Sequence, residues 1–292
     1  MVEATLIRSQ TADFVELTKP RIVTLVMVTA AAGFWLAGPT LQDTLLLFHA
    51  LMGIVLVAAG TNALNQIVER DTDALMLRTK NRPMPAGRLT VTSASTFAWL
   101  TGASGVIYLA LFVNLLTAFL AAATLISYVY LYTPLKRHTS LSTLVGAVPG
   151  ALPIMGGWAA ATGTLDPRAW VLFSILFLWQ LPHFLALSWI YREDYSRAGI
   201  KMLSCDDPDG KMTFTQASLY AAALIPVSLA PTILGLAGAA YFVGALILSL
   251  GFLIVSIAAT RDRTDEKAKR LFLASLIYLP ALLILMTMNR SL

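Results

Sequence analysis

The chain has 292 residues, 57% hydrophobic and only 13% charged, with a formal net charge of +5. Soluble globular proteins carry roughly a quarter charged residues, so a mean hydropathy of +0.72 excludes a water-soluble globule and indicates a polytopic membrane protein. One cysteine, Cys205, excludes an intramolecular disulfide and reads as an inert loop thiol.

Residues 1–16 form a polar tail with Glu3, Asp13 and Glu16, and nothing there resembles a cleaved signal. Nine apolar runs follow, each long enough to span a bilayer at about 20 residues. They lie near 20–38, 45–67, 94–113, 115–133, 142–162, 169–190, 214–236, 239–259 and 271–289. With the N-terminus cytoplasmic, nineteen of the 21 Lys and Arg residues fall on the inner side, and only Arg168 and Arg290 fall outside. The expected fold is therefore all-α: nine transmembrane helices around a central cavity in one domain, N-terminus in and C-terminus out. Basic loops beside anionic lipid account for the pI of about 9.4 without nucleic acid. Outer connections are short. Two inner ones, about 69–93 and 192–213, are long and polar, and function tends to sit in such segments.

In the first long connection, Asn65, Glu69 and Asp73 recur every four residues, which places three oxygens on one broad helical face. Asp71 lies off that face. Arg78, Lys80, Arg82 and Arg88 follow. Hard oxygens succeeded by cations suit a Mg²⁺-bridged diphosphate; a solvated loop of mixed charge is the competing reading. The second connection echoes the first, since Arg70-Asp71 aligns with Arg192-Glu193 four spans later. If the echo is a duplication rather than chance, Asp73 and Asp194 should face each other across one pocket. Lys136 and Arg137 in the third inner loop, and Lys19 and Arg21 flanking Pro20, are either membrane anchors or clamps on the same diphosphate.

Polar residues inside the spans are few. His183, in WQLPHF with Gln180 and Pro182 nearby, reads either as a hydrogen-bonded core residue or as part of a site. His49 reads as structural and His138 as a loop residue. The fifth span carries Gly146, Gly150, Gly156, Gly157, Pro149 and Pro153, which serve either close helix packing or a bend that widens a cavity. P-loop, Rossmann, HExxH and CxxC patterns are missing.

Asn65-x3-Glu69-x-Asp71-x-Asp73 with Met76-x-Arg78-Thr79-x-Asn81-Arg82-Pro83 resembles the first aspartate-rich motif of the intramembrane prenyltransferase superfamily. LTKPRI at 17–22, YTPLKRHTSLSTLVGAVPGALPIMGGW at 132–158, WQLPHF at 179–184, YREDYSRAGIKML at 191–203 and DPDG at 207–210 narrow the resemblance to its haem-farnesylating branch, the protohaem IX farnesyltransferases. Glu69 stands where the superfamily usually has Asp, and the second corner holds only Glu193 and Asp194. The resemblance implies transfer of a farnesyl group from farnesyl diphosphate to a vinyl carbon of haem b, with addition of water, giving haem O. It implies Mg²⁺ on Asn65, Glu69, Asp73 and Asp194, with Asp71 and Glu193 also catalytic. Arg78, Lys80, Arg82, Lys136, Arg137 and Arg192 would bind diphosphate, and His183 and Gln180 would face the haem. It further implies a bacterial plasma-membrane protein with its site facing the cytoplasm, and haem A synthase or terminal-oxidase assembly proteins as partners. A prenyltransferase for a quinone precursor or chlorophyll-type ring, a transporter, and a non-enzymatic haem-handling factor are the alternatives.

Overall fold

The computed structural model describes residues 10–291; Glu3 and Arg8 of the expected tail lie outside them. The helices are α1 (Gln10–Leu17), α2 (Pro20–Leu36), α3 (Thr44–Val68), α4 (Arg70–Ala74), α5 (Val91–Phe112), α6 (Leu115–Ile126), α7 (Thr133–Leu135), α8 (Ser142–Thr162), α9 (Pro167–Ile190), α10 (Arg192–Arg197), α11 (Lys211–Ile233), α12 (Ala239–Asp262) and α13 (Asp265–Met288). A π-helical turn, Ser127–Tyr132, joins α6 to α7, so that Leu115–Leu135 is one continuous span. Among the described residues eight helices are long and apolar enough to cross a membrane, and α1 with α2, bent by 45°, passes the same test as a pair, as a broken span or a re-entrant loop does. Among the described residues no strand occurs, only one bridge between Ala237 and Arg290.

The expected spans are present, with ends that move by a few residues. The seventh begins at Lys211 because Gly210, at φ 70, takes the left-handed conformation that ends the DPDG turn. Asp207 accepts the Thr213 amide at 2.7 Å and secures that start, so DPDG is a helix-initiating turn. Within the polar tail, the described residues 10–17 are helical. Arg88 holds this segment by donating to Asp13 at 2.7 Å and to Glu16 at 2.8 Å. Gln66 donates to the Leu17 carbonyl at 2.9 Å and fixes its end.

Two helix crossings set the frame. At α2–α8, a Cβ on Gly33 would collide with the Ile154 carbonyl, and one on Gly157 with the Ala30 carbonyl. Gly157 of the fifth span therefore serves close packing, as do Gly146 against Tyr132 and Gly150 against Gln180, and α8 runs unbroken through Pro149 and Pro153. At α3–α5, a Cβ on Gly60 would stand 2.6 Å from the Gly102 amide. Lipid-facing apolar side chains such as Leu111, Leu115 and Ile254 remain exposed, as an apolar solvent permits.

The two corners share a backbone pattern. α3 and α9 each end at one non-helical residue, Glu69 or Tyr191, and pass into a short helix starting at Arg70 or Arg192. Both corners and their connections meet at one end of the bundle, where the Lys201 amide donates to the Lys136 carbonyl at 2.8 Å. The opposite end holds tight turns, such as the one closed by the Leu236 amide donating to the Pro231 carbonyl at 2.8 Å.

Candidate active site

The four-residue spacing survives the end of α3. The Glu69 amide donates to the Asn65 carbonyl at 2.9 Å, and the Asp73 amide to the Glu69 carbonyl at 2.7 Å. Helical hydrogen bonding thus carries through the joint, and Asn65, Glu69 and Asp73 stay on one side. Asp71 turns outward, 79% exposed at its side chain, and pairs with Arg70 at 2.9 Å.

Each of the three inward groups has a cation of its own. Lys136 donates to Glu69 Oε1 at 2.7 Å, Arg82 to Asp73 Oδ2 at 2.7 Å, and Lys19 to Asn65 Oδ1 at 2.6 Å. Asn65 also donates to Thr133 Oγ1 at 3.1 Å, which ties α3 to α7. Asp73 is 1% exposed at its side chain, and Glu69 and Lys136 are 12% exposed, so these are desolvated pairs. Burial alone would raise the Glu69 carboxyl, yet Lys136 and Lys19 beside it hold it below the usual value. Burial likewise opposes the Lys136 charge, but Tyr132 and Glu69 prevail and its pKa stands well above the ordinary lysine value. Lys136 Nζ also sits 4.2 Å from the centroid of the Tyr132 ring.

Beside these pairs lies a cavity of about 210 Å³ lined by Glu69, Thr72, Thr133, Lys136 and Arg137. A single water needs only about 10–15 Å³, so the space admits phosphoryl groups and a hydrated ion. Among the described residues no three His, Cys, Asp or Glu side chains gather to hold a metal by themselves. The donor set still fits Mg²⁺, which takes one or two carboxylates and fills its shell with waters and phosphate oxygens. Glu69, Asp73 and the Asn65 amide would supply that share.

The remaining predicted residues have other neighbours. Arg78 and Lys80 are exposed on the 75–82 segment, and the Arg78 guanidinium lies 4.9 Å from the Tyr191 ring centroid. Arg192 donates to Asp265 and to the Trp189 carbonyl, both at 2.8 Å, and so joins α13 to α9 away from the cavity. Glu193 is exposed, whereas Asp194 is buried and accepts the Leu77 amide at 3.2 Å and the Arg78 amide at 3.4 Å. Those bonds and Arg197 outweigh the upward push of burial and hold the Asp194 carboxyl below its usual range. The two corners therefore meet directly, through a side chain and a backbone segment. Gln180 donates to the Ala147 carbonyl at 2.8 Å and packs on Gly150, while His183 pairs with Ser275 at 2.8 Å. These residues link α9 to α8 and to α13. His49 pairs with Tyr108 at 2.7 Å, the structural role expected of it.

Lys19 is the site residue that sequence reasoning left undecided. Pro20 disfavours a right-handed helical conformation before it, and Lys19 adopts φ 54 in the left-handed region. A lysine locked between helices by the following proline is the signal that LTKPRI carried.

The sequence profile of the UbiA prenyltransferase family matches residues 26–279. A protoheme IX farnesyltransferase of Solibacter usitatus is 46% identical over 287 residues, covering 95% of this chain and 98% of its own. One from Salinibacter ruber is 45% identical over 277 residues, covering 95% and 98%. In fold, a digeranylgeranylglyceryl phosphate synthase superposes with a TM-score of 0.81 at 16% identity, covering 96% of this chain and 98% of its own. A UbiA homolog from Archaeoglobus fulgidus bound to GPP and Mg²⁺ gives 0.62 at 14% identity, covering 94% and 99%. A nine-element helical bundle, an acidic corner ringed by cations and a profile match over most of its length lead to one conclusion: this chain belongs to the UbiA prenyltransferase family.

Proposed function

We propose that the chain transfers a farnesyl group from farnesyl diphosphate to a vinyl carbon of haem b, with addition of water, to give haem O. Near full-length similarity to protoheme IX farnesyltransferases supports the choice of substrates. The observation that carries the chemistry is a run of three matched pairs along one side of the α3–α4 joint, Asn65–Lys19, Glu69–Lys136 and Asp73–Arg82, of which Glu69–Lys136 lines a cavity.

Asn65, Glu69 and Asp73 would hold Mg²⁺, which when bound supplies Lewis-acid stabilisation to the departing diphosphate. Lys136, Arg82 and Lys19 stand beside those oxygens and take up phosphate charge as the allylic C–O bond breaks. The electron pair of that bond leaves with diphosphate. The vinyl π electrons form the new C–C bond, and water adds to the cation left beside the ring and loses a proton. Buried apolar helices exclude bulk water from the farnesyl cation. Arg137, exposed at the cavity wall, together with Arg78 and Lys80 on the adjoining segment, draws the diphosphate in. The bias of basic residues supports a cytoplasmic position for this end in a bacterial cell, and on this reading both amphiphilic substrates arrive from the bilayer and the product passes to haem A synthase or oxidase assembly.

Incubating membranes that contain the protein with haem b, farnesyl diphosphate and Mg²⁺, then extracting haem, tests the assignment. Farnesylated haem is expected and should vanish with chelator. Prenylation of a quinone precursor in place of haem would overturn it.

A further inference from the structure

Asp194 sits in the second acidic corner, yet its oxygens are committed to protein. Oδ1 accepts the Leu77 amide at 3.2 Å and Arg197 at 2.7 Å, and Oδ2 accepts the Arg78 amide at 3.4 Å. The segment it grips is held at other points as well, the Asn81 carbonyl accepting Arg88 at 2.6 Å. Met76 is 4% exposed and packs among Ala198, Ile200 and Met202, a small core apart from those of the bundle. Thr79 and Arg82 then turn back to Asp73, with Thr79 donating to the Asp73 carbonyl at 2.9 Å.

We propose that Asp194 is a positioning residue: its carboxylate and the Met76 core clamp residues 76–82 against the second loop, so that Arg78, Lys80 and Arg82 face the diphosphate. This rests on the diphosphate reading above and narrows it, because it removes Asp194 from the metal shell. A carboxylate that accepts two backbone amides and a guanidinium has little capacity left for a cation. The same loop holds the other side of the cavity through the Lys201 amide on the Lys136 carbonyl. The second corner is thereby the brace of the first.

Tryptic digestion of the full-length protein in membranes, without substrate, reads the clamp directly, because Arg78 and Lys80 are exposed cleavage sites within it. Asp194→Ala should speed cleavage there about tenfold, since local opening governs proteolysis. Asp194→Asn, which keeps one acceptor, and Arg197→Ala, which keeps both amide bonds, should fall between Ala and the native chain. In turnover, Asp194→Ala should raise KM for farnesyl diphosphate about tenfold with kcat within about threefold, and Asn should restore much of the loss. Half-saturation by Mg²⁺ should stay unchanged in both. Unaltered cleavage in Asp194→Ala overturns the proposal. Should that variant not fold, unaltered cleavage in both Asp194→Asn and Arg197→Ala does the same. A rise of about tenfold in the Mg²⁺ requirement of the Ala and Asn variants would make Asp194 a ligand and overturn it too. Native protein without farnesyl transfer would sink the activity reading, while the digestion would still decide the clamp.

Discussion

The two acidic corners share a backbone plan and differ in what their carboxylates hold. At the first, Glu69 and Asp73 are matched by side-chain cations, Lys136 and Arg82, which can swing to a ligand. At the second, Asp194 pairs with the side chain of Arg197 but also holds two backbone amides, which cannot. Long ammonium and guanidinium stems re-aim at modest cost, whereas an amide moves only with its chain. On the proposals above, two similar corners divide two duties: the first would keep exchangeable charge for a substrate, and the second would keep the first in shape.

The comparison breaks most sharply at the first corner. Asp73→Asn or Glu69→Gln should lower kcat by at least about a hundredfold, the scale of losing one electrostatic partner of the transition state. The protein should remain folded in membranes, as judged by its elution in detergent. Comparable activity in either variant would contradict the reading.

Lys136→Met should be the next largest. It removes a diphosphate donor and strands the buried Glu69 carboxylate, so a loss of about 3 kcal/mol in stability is expected. Adding Glu69→Gln should restore most of that stability, read as thermal unfolding in detergent, but none of the activity. A melt unchanged in Lys136→Met would show the pair to be solvated.

Arginines of the two corners should then diverge. Arg82→Gln, beside Asp73, should raise KM for farnesyl diphosphate about tenfold. Arg192→Gln, tied to Asp265 on a half-exposed surface, should change it less than about twofold. Equal effects would erase the distinction between the corners. Asp71→Asn and Glu193→Gln occupy matching positions and are both exposed, so each should leave turnover within about twofold.

The smallest effect concerns pH. The Asp194 carboxyl is held below its usual value, so its stabilisation is fully present above the unfolded pKa of 3.8 and is lost as pH falls through the lower folded value. Hydrogen exchange at Leu77 and Arg78, corrected for intrinsic rates, should stay constant from about pH 7 to 5 and rise only in stronger acid. Loss of protection near neutrality would point to another group.

Apolar length and the basic bias made the spans legible within a few residues, because a bilayer demands about 20 apolar residues whatever the tertiary contacts. Tail residues 10–17 escaped that reading: their helix depends on Arg88, seventy residues away in sequence, reaching Asp13 and Glu16. The glycines of the fifth span signalled either packing or a bend, and only their neighbours decided for packing: the Ala30 carbonyl of α2 against Gly157, the Tyr132 ring against Gly146 and the Gln180 amide against Gly150.

The sequence by itself determined the helices, their order and the shared side of Asn65, Glu69 and Asp73, since a helical period fixes angles along one element. Tertiary structure alone decided which cation meets which oxygen, that Lys19 joins the site, that His183 turns to Ser275 on α13, and that Asp194 grips a loop. Those pairings depend on how separate helices cross and on where their loops return, and no periodicity within a single segment encodes either.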